Sequence, residues 1–269
     1  MKNHVIYTIC LVFISNISIA QFSSNISTLN PAMTGFLDKK FGHIQYGNHN
    51  FNEEAQYNGV SGLFNYSADQ INSGVGLNFN QSQYNWSNFT TVGGSYQYTF
   101  EFSETFKLAV GTSLNYVLQD NRGSHVMYND FSNKDYLKLS LGTAVKWKGL
   151  NAGVSFSNID LLSDSHSSVV QLHPNRFNPI NIHVWYDFQI SDNFILSPNV
   201  VTGAHSHFNL RGEHYNRVWW NVGYGYRNSL FVGGGVRVFD NFHLGYNVGV
   251  SLHNKSLYHR FSVSYRLGK

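Results

Sequence analysis

The chain has 269 residues, a formal net charge of +3 and only 12 % charged residues, about half the roughly 25 % of an ordinary soluble domain. Aromatics reach 16 %, yet mean hydropathy stays at −0.26. This excludes a disordered chain, which would carry more charge and fewer aromatics, and argues against a bundle of apolar helices or an ordinary cytosolic enzyme.

The first element is a targeting segment. Lys2 gives a positive start, residues 5–14 are an apolar stretch, and Ser18-Ile19-Ala20 fits a small-x-small cleavage rule. The expectation is a cleaved signal peptide over 1–20 with Gln21 as the mature start. The only cysteine, Cys10, lies inside it, so the mature chain is expected to have no disulfide, cysteine-based zinc site or thiol chemistry. No later run of 18 apolar residues offers a helical membrane span.

Residues 21–39 follow, with Leu29-Asn30-Pro31-Ala32-Met33-Thr34-Gly35 at their centre. Asn-Pro opens a turn and Gly35 permits a left-handed backbone. The segment lacks strand alternation. It is read as a compact turn that tucks into or caps the periplasmic mouth, with an ordinary N-terminal loop as the alternative.

From residue 40 the dominant period is two. Leu108, Val110, Thr112, Leu114, Tyr116 and Leu118 share one parity, while Lys107, Ala109, Gly111, Ser113, Asn115 and Gln119 share the other, with Val117 as the break. Residues 137–147 and 259–267 repeat the pattern. It predicts about fourteen strands, at 40–48, 57–66, 72–82, 89–102, 106–119, 136–147, 150–158, 180–190, 194–203, 206–213, 218–227, 230–239, 242–251 and 258–267. Most approach the roughly 9–11 residues of a tilted membrane-crossing strand. Connections after even strands are short, and the long ones, 120–135 and 159–179, follow odd strands; Asn228-Ser229 is the exception. Outer-membrane barrels show this asymmetry. The predicted fold is therefore all-β, an antiparallel transmembrane barrel over 40–269, with both termini on the periplasmic side.

The polar parity carries Glu101, Lys107, Lys138, Lys146, Asp187, Arg211, Glu213, Arg237, Arg260 and Arg266. On a lipid face an Arg or Lys would cost about 2–4 kcal/mol at mid-membrane, so these are assigned to the lumen. Gly142, Gly233, Gly235, Gly245 and Gly249 share that parity and suit a crowded interior. Trp147, Phe188, Tyr226 and Phe242, near strand ends, suit interfacial girdles. His205 and His207 share a strand face, but no carboxylate pattern completes a metal site. No G-x-S-x-G elbow, phosphate cradle or basic block stands out. Catalysis, cofactor, metal and nucleic acid are accordingly not expected.

Several motifs in order resemble one family. Leu29-Asn30-Pro31-Ala32-x-x-Gly35 resembles the opening of PorP/SprF proteins. The run Tyr215-Asn216-Arg217-x-Trp219-x-x-x-Gly223-Tyr224-x-Tyr226-Arg227, the stretch Phe239-Asp240-Asn241-Phe242-His243-Leu244-Gly245-Tyr246 and the ending at 259–267 are similar to its later strands. Two departures stand out: a shorter segment before Asn30, and an end in Leu267-Gly268-Lys269 rather than a terminal Phe. The resemblance implies a barrel of the type IX secretion and gliding machinery, embedded in outer-membrane lipid; the chain itself is read as a monomeric barrel and not an enzyme. Its implied partners are a secreted adhesin, exported or surface-anchored through its C-terminal domain, and periplasmic peptidoglycan-linked components. The outer contact surface is assigned to the two long connections, where Asp120, Arg122, Tyr128, Phe131, His173 and Phe177 supply groups of the kind interfaces use. A FadL-like or porin-type transporter and a secreted β-sandwich are the competing readings.

Overall fold

The computed structural model describes residues 26–51, 55–84, 87–121, 134–163, 180–203, 206–215, 217–225, 229–239, 241–252 and 257–267. The signal segment lies outside them. The strands are β1 (Lys40–Phe51), β2 (Ala55–Ala68), β3 (Ser73–Tyr84), β4 (Ser87–Ser103), β5 (Phe106–Asn121), β6 (Lys134–Trp147) and β7 (Leu150–Ser163). Next come β8 (Ile180–Tyr186, resuming as Phe188–Ser191), β9 (Phe194–Thr202), β10 (His207–His214) and β11 (Val218–Gly225). The chain ends with β12 (Ser229–Phe239), β13 (Phe242–Ser251) and β14 (Leu257–Leu267). Each strand pairs antiparallel with its sequence neighbours, and β14 pairs with β1 from Lys40↔Leu267 to Asn50↔Leu257. The sheet therefore closes into a fourteen-stranded barrel with no free edge, the only way a sheet satisfies its backbone in hydrocarbon.

The pleat sorts side chains as a membrane barrel requires. Outward positions carry Ile44, Phe64, Leu77, Val92, Leu114, Ile182, Val222 and Val263, all exposed, Leu77 by 66 %. Inward positions carry Asn65, Gln97, Ser113, Ser140, Asn199, Asn221 and Ser264, all buried. A soluble sandwich would show the reverse. The inner polar groups pair with one another: Asn78 Nδ2 donates to Asn115 Oδ1 at 2.9 Å, and Asn181 Nδ2 to Ser157 Oγ at 2.8 Å. Such pairing offsets the cost of burying them.

The observed strands overlap all fourteen expected ones, and the differences have physical causes. β7 runs to Ser163 rather than 158, because two register shifts against β6 reset its parity and hide the alternation. β2, β4 and β5 extend beyond their apolar bands, because the ladder continues after the side chains turn polar. β8 is interrupted at Asp187, whose amide instead donates to Gly149 O at 2.9 Å.

The facing strand explains that break. β8 pairs with β9 through Trp185↔Asn199 and again at Phe188↔Leu196, passing over Tyr186, which faces Pro198, and Asp187, which faces Ser197. Proline has no N–H to give the ladder. Pro198→Val is expected to restore the missing donor and stabilise the barrel by about 0.5–1.5 kcal/mol, read as a higher urea midpoint for unfolding from lipid vesicles. An unchanged midpoint would show that the gap has another cause.

Candidate functional site: the lumen and its N-terminal segment

The Asn-Pro-Ala turn is shaped by its own sequence. Asn30, fully buried, caps a short 3₁₀ helix (Pro31–Met33), and its Oδ1 accepts from Ala32 N at 3.0 Å. Pro31 occupies the first helical position, where its missing N–H costs nothing. Gly35 has φ +71°, a left-handed backbone natural to glycine.

The turn then meets the barrel wall. Asn30 Nδ2 donates to Thr143 O at 2.9 Å on β6 and to Val154 O at 3.4 Å on β7. Ser155 Oγ donates to Leu29 O at 2.6 Å, Asn65 Nδ2 to Ser27 Oγ at 3.2 Å, and the Thr34 and Ser95 hydroxyls bond at 2.9 Å. Ile26, Ala32 and Met33 form a buried apolar cluster with Ala109, Ala144, Trp185 and Val201, flanked by Leu29, Phe36 and Leu37. Together these contacts reach strands from β2 to β9. One short segment can touch so many strands of a closed barrel only from inside it.

The seat is built from small residues placed side by side by register. Ala109 opposes Ala144, which opposes Gly153; Gly111 opposes Gly142, which opposes Ser155. A Cβ on Gly111 would press on the Pro31–Ala32 peptide, and one on Gly142 would overlap Asn30 Oδ1. The wall there is thin because the turn needs the room.

Charges gather at the end of the barrel with the short turns, which in such barrels faces the periplasm. Arg266 on β14 pairs with Asp38 at 3.2 Å, with Asp38 nearly buried, so the last strand holds the residue that leads from the turn into β1. Arg211 pairs with Glu213, and Lys107 with Glu101. Asp187 Oδ1 accepts from Ser197 Oγ at 2.5 Å. Lys146 lies opposite Asn151, and Arg237 opposite His243. Lys138 stands nearer the other end, opposite Asp160, with its ammonium over the Tyr136 ring. Outside the strands, Lys39 pairs with Asp69; the shared hydrogen bond holds the Asp69 carboxyl below its ordinary value and the Lys39 ammonium above.

These charges form separate pairs along the wall rather than one constellation. Among the described residues no group of three metal-ligating side chains exists. Of the residues assigned to the outer contact surface, Asp120 sits at the end of β5 opposite Asn88. Arg122, Tyr128, Phe131, His173 and Phe177, like His205 and Tyr226, lie outside the described residues. The residues that sequence reasoning missed are Ala109, Ala144, Trp185 and Val201. The available clue was small residues on the inner parity of three successive strands, which becomes a patch once register is known.

Solved structures with this architecture are distant in sequence. The monoaromatic hydrocarbon channel CymD has a TM-score of 0.58 at 9 % identity, covering 91 % of this chain and 93 % of that one. The outer membrane protein Omp33 of Acinetobacter baumannii gives 0.56 at 9 %, covering 86 % and 99 %. The toluene transporter TodX of Pseudomonas putida gives 0.53 at 8 %, covering 89 % and 93 %. At such identities the likeness speaks for the fold alone. No curated protein matches the sequence. The family model described as "Type IX secretion system membrane protein PorP/SprF" matches residues 13–265, nearly the whole chain. Fold and family together place the protein in the outer membrane as a β-barrel. The chain belongs to the PorP/SprF family of type IX secretion system membrane proteins.

Proposed function

We propose that this barrel serves type IX secretion by engaging one secreted adhesin through the adhesin's C-terminal domain, helping to export it or holding it at the cell surface. The observation that carries this reading is the N-terminal segment seated inside the barrel. A segment of the chain itself fills the wall's inner recess and hydrogen-bonds to β6 and β7, which favours recognition over free passage of solutes. The outer contacts are assigned to the connections 120–135 and 159–179, including Asp120, Arg122, Tyr128, Phe131, His173 and Phe177. The periplasmic rim is the natural place for peptidoglycan-linked partners.

The test is purification of the tagged barrel from detergent-solubilised membranes. A large secreted protein should co-purify, and its isolated C-terminal domain should bind. Finding none across growth conditions, together with ligand uptake or conductance in liposomes, would transfer the function to a porin-like or hydrophobic-compound transporter.

A further inference from the structure

The seat of the N-terminal segment is unequal along its length. Over β6 and β7 its polar groups are bonded, through Asn30, Ser155 and the strand carbonyls. Over β8 and β9 they are not. His183 on β8 is 1 % exposed, and neither of its ring nitrogens has a partner in the protein. Asn199 on β9 is 2 % exposed, and neither its amide nitrogen nor its amide oxygen has one. Both point inward, because Ile182, Val184 and Val200 beside them along the strands are exposed on the outer wall.

The segment closes over this part of the wall. Trp185, the next inward residue on β8, and Val201, directly across from His183 on β9, both belong to the buried cluster that contains Ile26. Gly153 on β7 lies across from His183 on the other side. A Cβ there would stand 2.6 Å from His183 Cε1 and 2.7 Å from Asn30 Nδ2. Ring and segment therefore meet over the same glycine.

Nothing around the ring would balance a charge. From β7 the facing residues are Asn151, Gly153 and Ser155, and from β9 they are Asn199 and Val201. On β8 itself the ring lies between Asn181 and Trp185, whose indole is 5.6 Å away. The segment from Ile26 to Leu37 contains no titratable residue. Asp187, further along β8, is bonded to Ser197, and the next titratable group in the row is His207 on β10, across from Val201. A neutral imidazole in this place forgoes its hydrogen bonds, whereas a protonated one adds a buried charge without a counter-ion, a far larger penalty. Withdrawal of the segment brings water to it.

We propose that His183 is a proton-operated latch for the N-terminal segment: the neutral ring lies sealed beneath the docked segment, and protonation drives the segment off this part of its seat. The proton is taken up as the segment leaves, by a ring that ionises in water near about pH 6.5. Docking is therefore unaffected above that pH and weakens below it, about thirtyfold at about pH 5. The latch acts on the segment and is independent of any adhesin.

The test follows hydrogen exchange of residues 26–37 by mass spectrometry, on the full protein in nanodiscs, at about pH 7.5 and about pH 5. Each rate is divided by that of a free peptide of the same sequence at the same pH, which removes the chemical pH dependence of exchange. Protection of the segment should fall about thirtyfold at the lower pH, while β4 to β6 keep theirs. His183→Gln and His183→Phe, which take up no proton, should show equal protection at both; the phenyl ring keeps the bulk, so the comparison stands even where Gln disturbs the seat. His43→Gln, which removes the other buried imidazole among the described residues, on β1, should keep the full fall. Constant protection in the parent, a full fall in both His183 variants, a fall abolished by His43→Gln, or an equal loss in β4 to β6 would overturn the proposal.

Discussion

Replacing Asn30 with alanine is expected to loosen the N-terminal turn without opening the barrel. The side chain is fully buried and makes three hydrogen bonds, one inside the turn and two to strand carbonyls of β6 and β7. Alanine removes the cap and leaves the Ala32 N–H without its acceptor. Loss of a cap costs about 0.5–2 kcal/mol and a buried unsatisfied group about 1–3 kcal/mol, so a loss of about 2–4 kcal/mol is expected for docking of the segment. Amide exchange reads this directly, because local opening has its own free energy. The amides of Ala32 and Thr34 should exchange at least about thirtyfold faster, since 1.4 kcal/mol is tenfold, while those of β4 to β6 stay protected. Unchanged exchange would show that the turn is held by its apolar cluster alone. Gly142→Ala supplies the reciprocal test. Its Cβ meets Asn30 Oδ1, so it should cost less in the Asn30→Ala background than in the parent, the non-additivity expected of groups in contact.

The second large effect is expected on the opposite face of the wall. Leu77, in β3, is 66 % exposed among apolar neighbours. Leu77→Arg should destabilise the barrel in lipid vesicles by about 2–4 kcal/mol, the cost of a cationic side chain near the bilayer midplane. Asn80→Arg, on the inner parity of the same strand, should cost far less, because an inward cation hydrates or pairs as Lys107 and Arg211 do. Urea titrations of folding into vesicles compare the two. Equal costs would contradict a lipid-facing outer wall. A harmless Leu77→Arg beside a damaging Asn80→Arg would indicate a soluble sandwich.

Much of this architecture was legible because a strand's period of two is a local property. Leu108 to Leu118 and Leu137 to Trp147 announce their faces within a dozen residues, and lipid on one side exaggerates the contrast. Where the local rule is disturbed, legibility ends. The two register shifts of β7 put Ile159 and Asp160 off parity before Leu162 returns to it, and conceal its last five positions. Pro198 breaks no pattern on its own strand, yet it interrupts the ladder of β8 opposite. The Asn30-Pro31-Ala32 turn was recognisable as a turn, with Gly35 marking the left-handed step, but not as the occupant of a specific recess.

That recess depends on register, which no single strand carries. Ala109, Gly111, Gly142, Ala144 and Gly153 are scattered over 45 positions of the chain and are adjacent only because β5, β6 and β7 pair as they do. The same holds for Asp38 and Arg266, brought within 3.2 Å because the first and last strands close the barrel. Composition and alternation were enough for the class, the strand count and the sidedness of the wall, since each follows from the medium that a side chain meets. Where the segment docks and how the first and last strands are joined follow from long-range pairing, in which residues far apart in the chain share one small volume.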